Sequence, residues 1–288
     1  MNRRTFAVIA PLVAMGLAAT ACGSSGTKTT ASSAATTLTA KIKTIKPGTL
    51  TVATELPADA FYKVDPSDPS NPSKITGGFE YDTAIELAKR LNLPTVEIKN
   101  LTFAGITNGT TLTTKNPQAD VAMSQITITD KRREAIDFST PYFTADQGLL
   151  VRKGTTVTAA TLKTLKLGTQ ADTTGLTYIN DKIKPTTAAK TYGTTTDAAT
   201  AVKAKDIDGF VLDTPILLDL AKASNGDFEV IAQFKTDEAY GVALPKASPN
   251  TAAVSAAVAA MQHDGFFAPL YTKYFGGDPA KVPFLTAG

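Results

Sequence analysis

Short apolar runs alternating with amphipathic stretches across residues 46–275 predict an α/β fold. Composition points the same way. The 288-residue chain is 43% hydrophobic and 19% charged, enough to bury a sizeable core, and long enough for two domains. Strands followed by helices imply βαβ units, with parallel sheets covered on both faces.

In chain order, residues 49–53 read as a strand. Residues 82–91 read as a helix, because Ala84, Leu87, Ala88 and Leu91 recur at helical spacing. Strands follow at 95–98 and 120–124, a short helix at 130–136 and a strand at 148–151. The second half continues with a strand at 166–169, a helix at 196–203, a strand at 209–212 and a helix at 215–223. Residues 228–232 and 242–244 read as two further strands, and 251–275 as mostly helical. The Pro-, Ser- and Asp-rich stretch 65–73 reads as a surface loop.

Charge and rare residues exclude much chemistry. Lys and Arg number 29 against 26 Asp and Glu, without the clustered positive excess that a phosphate-neutralising nucleic-acid binder needs. The single Cys22 excludes an intrachain disulfide and a multi-cysteine metal site. The single His263 excludes paired-histidine metal motifs and is expected as an exposed helix residue. No cofactor or metal is expected.

Residues 1–22 read as a targeting segment. Arg3 and Arg4 precede an apolar stretch, residues 6–19, too short to span a membrane. The small residues 19–21 before Cys22 resemble a bacterial lipobox, which implies lipidation of Cys22 as the mature N-terminus; the alternative is a plain secretory leader. The start also fits a twin-arginine signal, so either export route is open. Residues 23–45, Gly/Ser/Thr/Ala-rich at their start, read as a flexible tether.

In open α/β sheets, ligands bind beyond the carboxyl ends of strands, so the residues there are the candidates. After residue 124 comes a helix start with Thr129 as N-cap, followed by Lys131, Arg132 and Arg133. Three cations there oppose the helix dipole. They read either as solvated surface charge or as a grip for an anion, an arginine fork being suited to a carboxylate. Asp213 follows the strand at 209–212 and precedes Pro215, so it reads as a helix cap, as a partner for an ammonium, or both. Residues 170–175 form a donor-rich turn, Glu55 follows the first strand, and Phe103 is a core residue or a ligand wall. An arginine, several acids and several hydroxyls make an inventory for a zwitterion.

Four segments carry a family resemblance. Ile75-Thr-Gly-Gly-Phe-Glu-Tyr-Asp82 with the helix after it, residues 120–142, Thr173-Thr-Gly175, and Asp208-Gly-Phe-Val-Leu-Asp-Thr-Pro215 stand in the order and spacing of a known set. Residues 46–275 resemble the polar amino-acid-binding proteins of ABC importers, solute-binding protein family 3. The resemblance implies a type 2 periplasmic-binding-protein fold: two Rossmann-like lobes joined by a two-strand hinge, closing as a Venus-flytrap clamp. Residues 46–142 and 241–288 would form one lobe and 143–240 the other, with hinge strands near 142–146 and 237–240. By motif match, Arg132 would hold the ligand carboxylate with Thr127 and the backbone N–H of Thr174. Asp213, Thr127 and the carbonyl of Gln125 would take the ammonium. Phe103 would wall the ligand side chain, and Glu55 and Gln170 would meet it.

Some positions depart from the family pattern. Pro57, Ala58 and Asp59 stand where many relatives have a stacking aromatic, and Gln125 and Asp172 where glycine is common. Asp172 adds an acid to the side-chain end or caps a helix. Residues 103–120 span about four residues more than usual. Glu55 and Asp172 favour a cationic or amide side chain, with glutamine, arginine and lysine as candidates. The implied role is capture of a polar amino acid by a lipid-anchored monomer and delivery to an ABC permease and ATPase complex, without nucleic acid. Alternatives on the same scaffold are a dehydratase of a small carboxylic acid, drafting Glu55 and Asp172, or a ligand sensor.

Overall fold

The computed structural model describes residues 42–275 and 281–286. The leader, Cys22 and most of the tether lie outside the described residues.

The chain opens with β1 (Thr49–Thr54), then a two-stranded ribbon of β2 (Lys63–Val64) and β3 (Ile75–Gly77) leading into α1 (Phe79–Arg90). Gly78 makes that entry possible. Its φ of +131 is open to glycine, and a Cβ there would sit 2.2 Å from the Phe61 carbonyl oxygen. Next come β4 (Thr95–Asn100), α2 (Phe103–Thr107), β5 (Val121–Ala122) and α3 (Asp130–Ala135). The 17-residue β6 (Ile136–Arg152) carries the chain into a second set of elements: α4 (Ala159–Leu162), β7 (Leu167–Gln170), α5 (Thr174–Tyr178), β8 (Lys190–Tyr192), α6 (Thr195–Lys203), β9 (Gly209–Asp213) and α7 (Thr214–Ala223). The 18-residue β10 (Phe228–Pro245) returns, and α8 (Thr251–His263) and α9 (Phe267–Tyr274) follow. His263 ends α8 and is exposed.

The strand order is β4-β1-β5-β10-β6-β9-β7-β8. Pairing is parallel at both ends, where βαβ units operate, and antiparallel wherever β6 or β10 takes part. The expectation of wholly parallel sheets is therefore corrected to a mixed sheet. The strands read separately at 228–232 and 242–244 are one continuous strand, and the strand at 148–151 is the end of a much longer one. Their physical reason is shared: β6 crosses outward and β10 back, so they lie side by side in opposite directions.

Apolar packing divides around that crossing. Leu50, Val52, Phe61, Phe79, Leu87, Met123, Val242 and Val258 belong to one cluster, with Phe103, Ile106, Ile126 and Phe138 on the other face of the same sheet half. In the second half Leu149, Val151 and Val211 face one cluster, while Leu150, Phe210 and Leu212 face another. This alternation is why these runs are apolar throughout: each strand is buried on both faces. At the crossing, Phe143 and Tyr240 are cross-strand partners, with ring centroids 5.2 Å apart and planes at 13°. Tail residues 281–286, expected with the first lobe, pack on the second. Gln233 N–H donates to the Pro283 carbonyl and Leu285 N–H to the Gln233 carbonyl, 2.8 Å each.

Candidate ligand-binding site

Between the two halves lies a cavity of about 330 Å³. Glu55, Phe103, Gln125, Thr127, Arg132, Gln170, Thr174 and Asp213 all line it. They gather there because the carboxyl ends of β1, β5, β7 and β9 point into the gap, so the loops after them converge.

Arg132 reaches the cavity from the first turn of α3, where the Thr129 side chain caps the helix by accepting from Arg132 N at 3.2 Å. Its neighbours Lys131 and Arg133 are exposed, while Arg132 is only 8% exposed. The guanidinium donates to the Thr127 carbonyl (2.8 Å) and the Asp172 carbonyl (3.0 Å) and lies 5.2 Å above the Phe103 ring. Burial pulls its pKa below the ordinary value, against the opposing pull of Asp213 and Glu238. These contacts fix the orientation of the fork.

Asp213 comes from the opposite side, at the end of β9, and is 3% exposed. It stands at the N-cap of α7, yet its side chain makes no capping bond. One carboxylate oxygen accepts from Gln147 Nε2 at 2.6 Å and the other from the Tyr240 hydroxyl. Burial and the nearby Glu238 push its pKa up to about 7.

Gln125 takes φ +50 and Asp172 takes φ +61, which is why glycine is at home in both places. The Gln125 turn is held by Glu80, a fully buried acid that accepts from Gln125 N (2.9 Å), Gln125 Nε2 (2.6 Å) and the Tyr142 hydroxyl. Burial lifts Glu80 to about 7 as well. The Gln125 amide nitrogen is thus committed to Glu80.

Glu55 accepts from Phe103 N (2.8 Å) and from Gln170 Nε2 (2.6 Å), joining the two halves across the gap. Ala60 N–H makes a second crossing to Asp219 at 3.0 Å. Asp172 is placed differently from expectation. Its side chain is exposed and it does not line the cavity. Thr173, rather than Asp172, caps α5, and Asp172 contributes its carbonyl to Arg132.

Four residues were missed by sequence reasoning. Glu238 accepts from the hydroxyls of Thr127 and Thr174 (2.7 Å each) and from Gln147 Nε2 (2.8 Å). Gln147, fully buried, spans Asp213 and Glu238 with one amide nitrogen. Asp59 and Asp219 line the far end of the cavity, both pushed upward chiefly by burial. A charged residue inside a crossing strand was the one available signal for Glu238.

The model of bacterial extracellular solute-binding proteins, family 3, matches residues 62–277. The L-cystine-binding protein TcyJ of Escherichia coli is 32% identical over 212 residues, covering 72% of this chain and 77% of that protein. A glutamine-binding protein of Geobacillus stearothermophilus is 30% identical over 258 residues, covering 85% and 93%. Among solved structures, an ancestral arginine-binding protein bound to glutamine superposes with a TM-score of 0.69 at 29% identity, over 81% of this chain and 100% of that one. The ancestral amino acid-binding protein AncCDT-1, described as a precursor of cyclohexadienyl dehydratase, gives 0.66 at 30% identity, covering 79% and 95%. Matched over three quarters of its length and sharing the type 2 periplasmic-binding-protein fold, this chain belongs to the bacterial extracellular solute-binding proteins of family 3.

Proposed function

We propose that this protein captures a polar amino acid reversibly between its lobes and delivers it to the permease of an ABC importer. One observation carries the reading: a buried guanidinium from one half and a buried carboxyl from the other line a single cavity of amino-acid size. Burying either ligand charge without a partner would cost several kcal/mol, so such a pair selects a zwitterion. Arg132, with Thr127 and the Thr174 backbone N–H, takes the carboxylate. Asp213, Thr127 and the Gln125 carbonyl take the ammonium, and Phe103 walls the side chain.

Charge at the far end selects among amino acids. Glu55, Asp59 and Asp219 line it, and Arg132 is the one cationic residue among the described residues of the lining. A cationic side chain gains there, an amide side chain is tolerated, and a second ligand carboxylate is repelled. L-Arginine, L-lysine and L-glutamine are the candidates, at a typical micromolar affinity of about 8 kcal/mol. A thermal-shift screen of the amino acids and their decarboxylated amines tests this, since a ligand that binds the folded state raises Tm. Cationic amino acids should give the largest shifts. No shift with any amino acid would reject the reading.

The dehydratase alternative drafted Glu55 and Asp172 as its acid and base. Asp172 does not share the cavity, and both Glu55 oxygens are engaged, which supports binding over catalysis. NMR spectra of candidate ligands incubated with the protein should stay unchanged; turnover would favour the enzyme. Cys22 is proposed as the lipid anchor. Palmitate labelling should be lost, and protein released from cells, in Cys22→Ser.

A further inference from the structure

The crossing strand β10 carries an irregularity with a use. Its register against β6 shifts between Phe234 and Glu238, so that Lys235, Thr236 and Asp237 stand opposite Asp146 alone. Asp146 on β6 secures the run by accepting from Thr236 N (2.8 Å) and Asp237 N (2.9 Å), and Asp237 takes φ +50. Lys235 binds both Asp146 (3.2 Å) and Asp237 (2.6 Å). A bulge re-aims the residue that follows it, and here that residue is Glu238.

Glu238 Oε2 accepts from one hydroxyl in each half, Thr127 and Thr174, both at 2.7 Å. Its other oxygen accepts from Gln147, which also holds Asp213. Glu238 does not line the ligand cavity, so it stands behind the site. The two hydroxyl bonds need Thr127 and Thr174 close together, as this arrangement of the halves brings them.

We propose that Glu238 is a latch on the closed clamp: a hinge-borne carboxylate that ties one hydroxyl of each lobe and slows ligand release. This rests on the capture reading above and adds a positioning residue to it. A group whose bonds form only on closure acts on the dissociation rate and leaves the encounter with the open form alone.

Stopped-flow binding and release, using whichever of L-arginine, L-lysine and L-glutamine gives the largest thermal shift, tests the latch. Glu238→Gln should raise the dissociation rate about fivefold or more, with the association rate within about twofold of wild type. Glu238→Asp, one methylene short, should do the same. Thr174→Val removes the hydroxyl and keeps the backbone N–H; combined with Glu238→Gln it should add little beyond either single change. Dissociation unchanged in Glu238→Gln, a matching fall in association, or full additivity with Thr174→Val would each overturn the latch. Arg132→Ala run alongside separates the two ideas: binding unaffected there rejects capture itself, whereas binding lost there with Glu238→Gln silent rejects the latch alone.

Discussion

The two ends of the cleft are built differently. At the inner end, Arg132, Asp213, Gln147, Glu238 and the hydroxyls of Thr127 and Thr174 are joined in one hydrogen-bonded network, with each charged group held by named partners. At the outer end, Glu55, Asp59 and Asp219 come from three separate loop and helix positions and share no bond with one another. The difference teaches a division of labour. On the proposed reading, groups common to every amino acid are met by geometry set in advance, which lowers the ordering cost of binding. The ligand side chain would then meet chiefly a sign of charge, which can be retuned one residue at a time.

That contrast can be broken first at Arg132. Arg132→Ala should weaken amino-acid binding by roughly 2–5 kcal/mol in calorimetry, the range for truncating one member of a buried charged pair. Asp213→Asn keeps the shape and removes the charge. It should cost about 1.5–3 kcal/mol, the worth of a hydrogen bond to a charged group, for every amino acid tested alike. Equal losses across side chains support the division; a loss confined to one amino acid breaks it.

The Gln125 turn, held by Glu80, has a pH signature. Burial raises Glu80 from its ordinary 4.5 to about 7, so the folded state favours its protonated form. Its contribution to stability is full below the unfolded value and is lost as pH rises toward 7. Wild-type Tm should therefore fall relative to Glu80→Gln between about pH 4.5 and 7, followed by circular dichroism. Parallel pH curves for the two proteins would contradict this placement of Glu80.

The smallest effect is expected at the outer end. Glu55→Gln should cost roughly 0.5–1 kcal/mol for L-arginine or L-lysine, the scale of a partly exposed charge pair, and almost nothing for L-glutamine. A uniform loss would move Glu55 from the outer set into the inner one.

What the sequence disclosed follows the same line. The run of cations at 131–133 broke the helix-dipole rule, and one of the three, Arg132, turned out to be buried at the cavity. Gln125 and Asp172 stood where glycine is common, and both backbones are left-handed. The crossing strands, implied near 142–146 and 237–240 by the resemblance, could not be traced end to end from periodicity, because β10 is interrupted by the polar run 235–237 that forms its bulge, so period-two alternation fails there. Glu238 lies within the hinge strand implied near 237–240, but nothing in the residue pattern marks the bulge beside it or its bonds to Thr127 and Thr174. Asp172 could not be placed from its side chain, because what Arg132 uses there is a backbone carbonyl, which every residue carries.

A crystal structure with a bound candidate amino acid tests the central assignment most directly. It should place the ligand carboxylate against the Arg132 guanidinium and the ammonium against the Asp213 carboxyl, with the side chain running toward Glu55, Asp59 and Asp219. A ligand held in the reverse direction, or held outside this cavity, would contradict it.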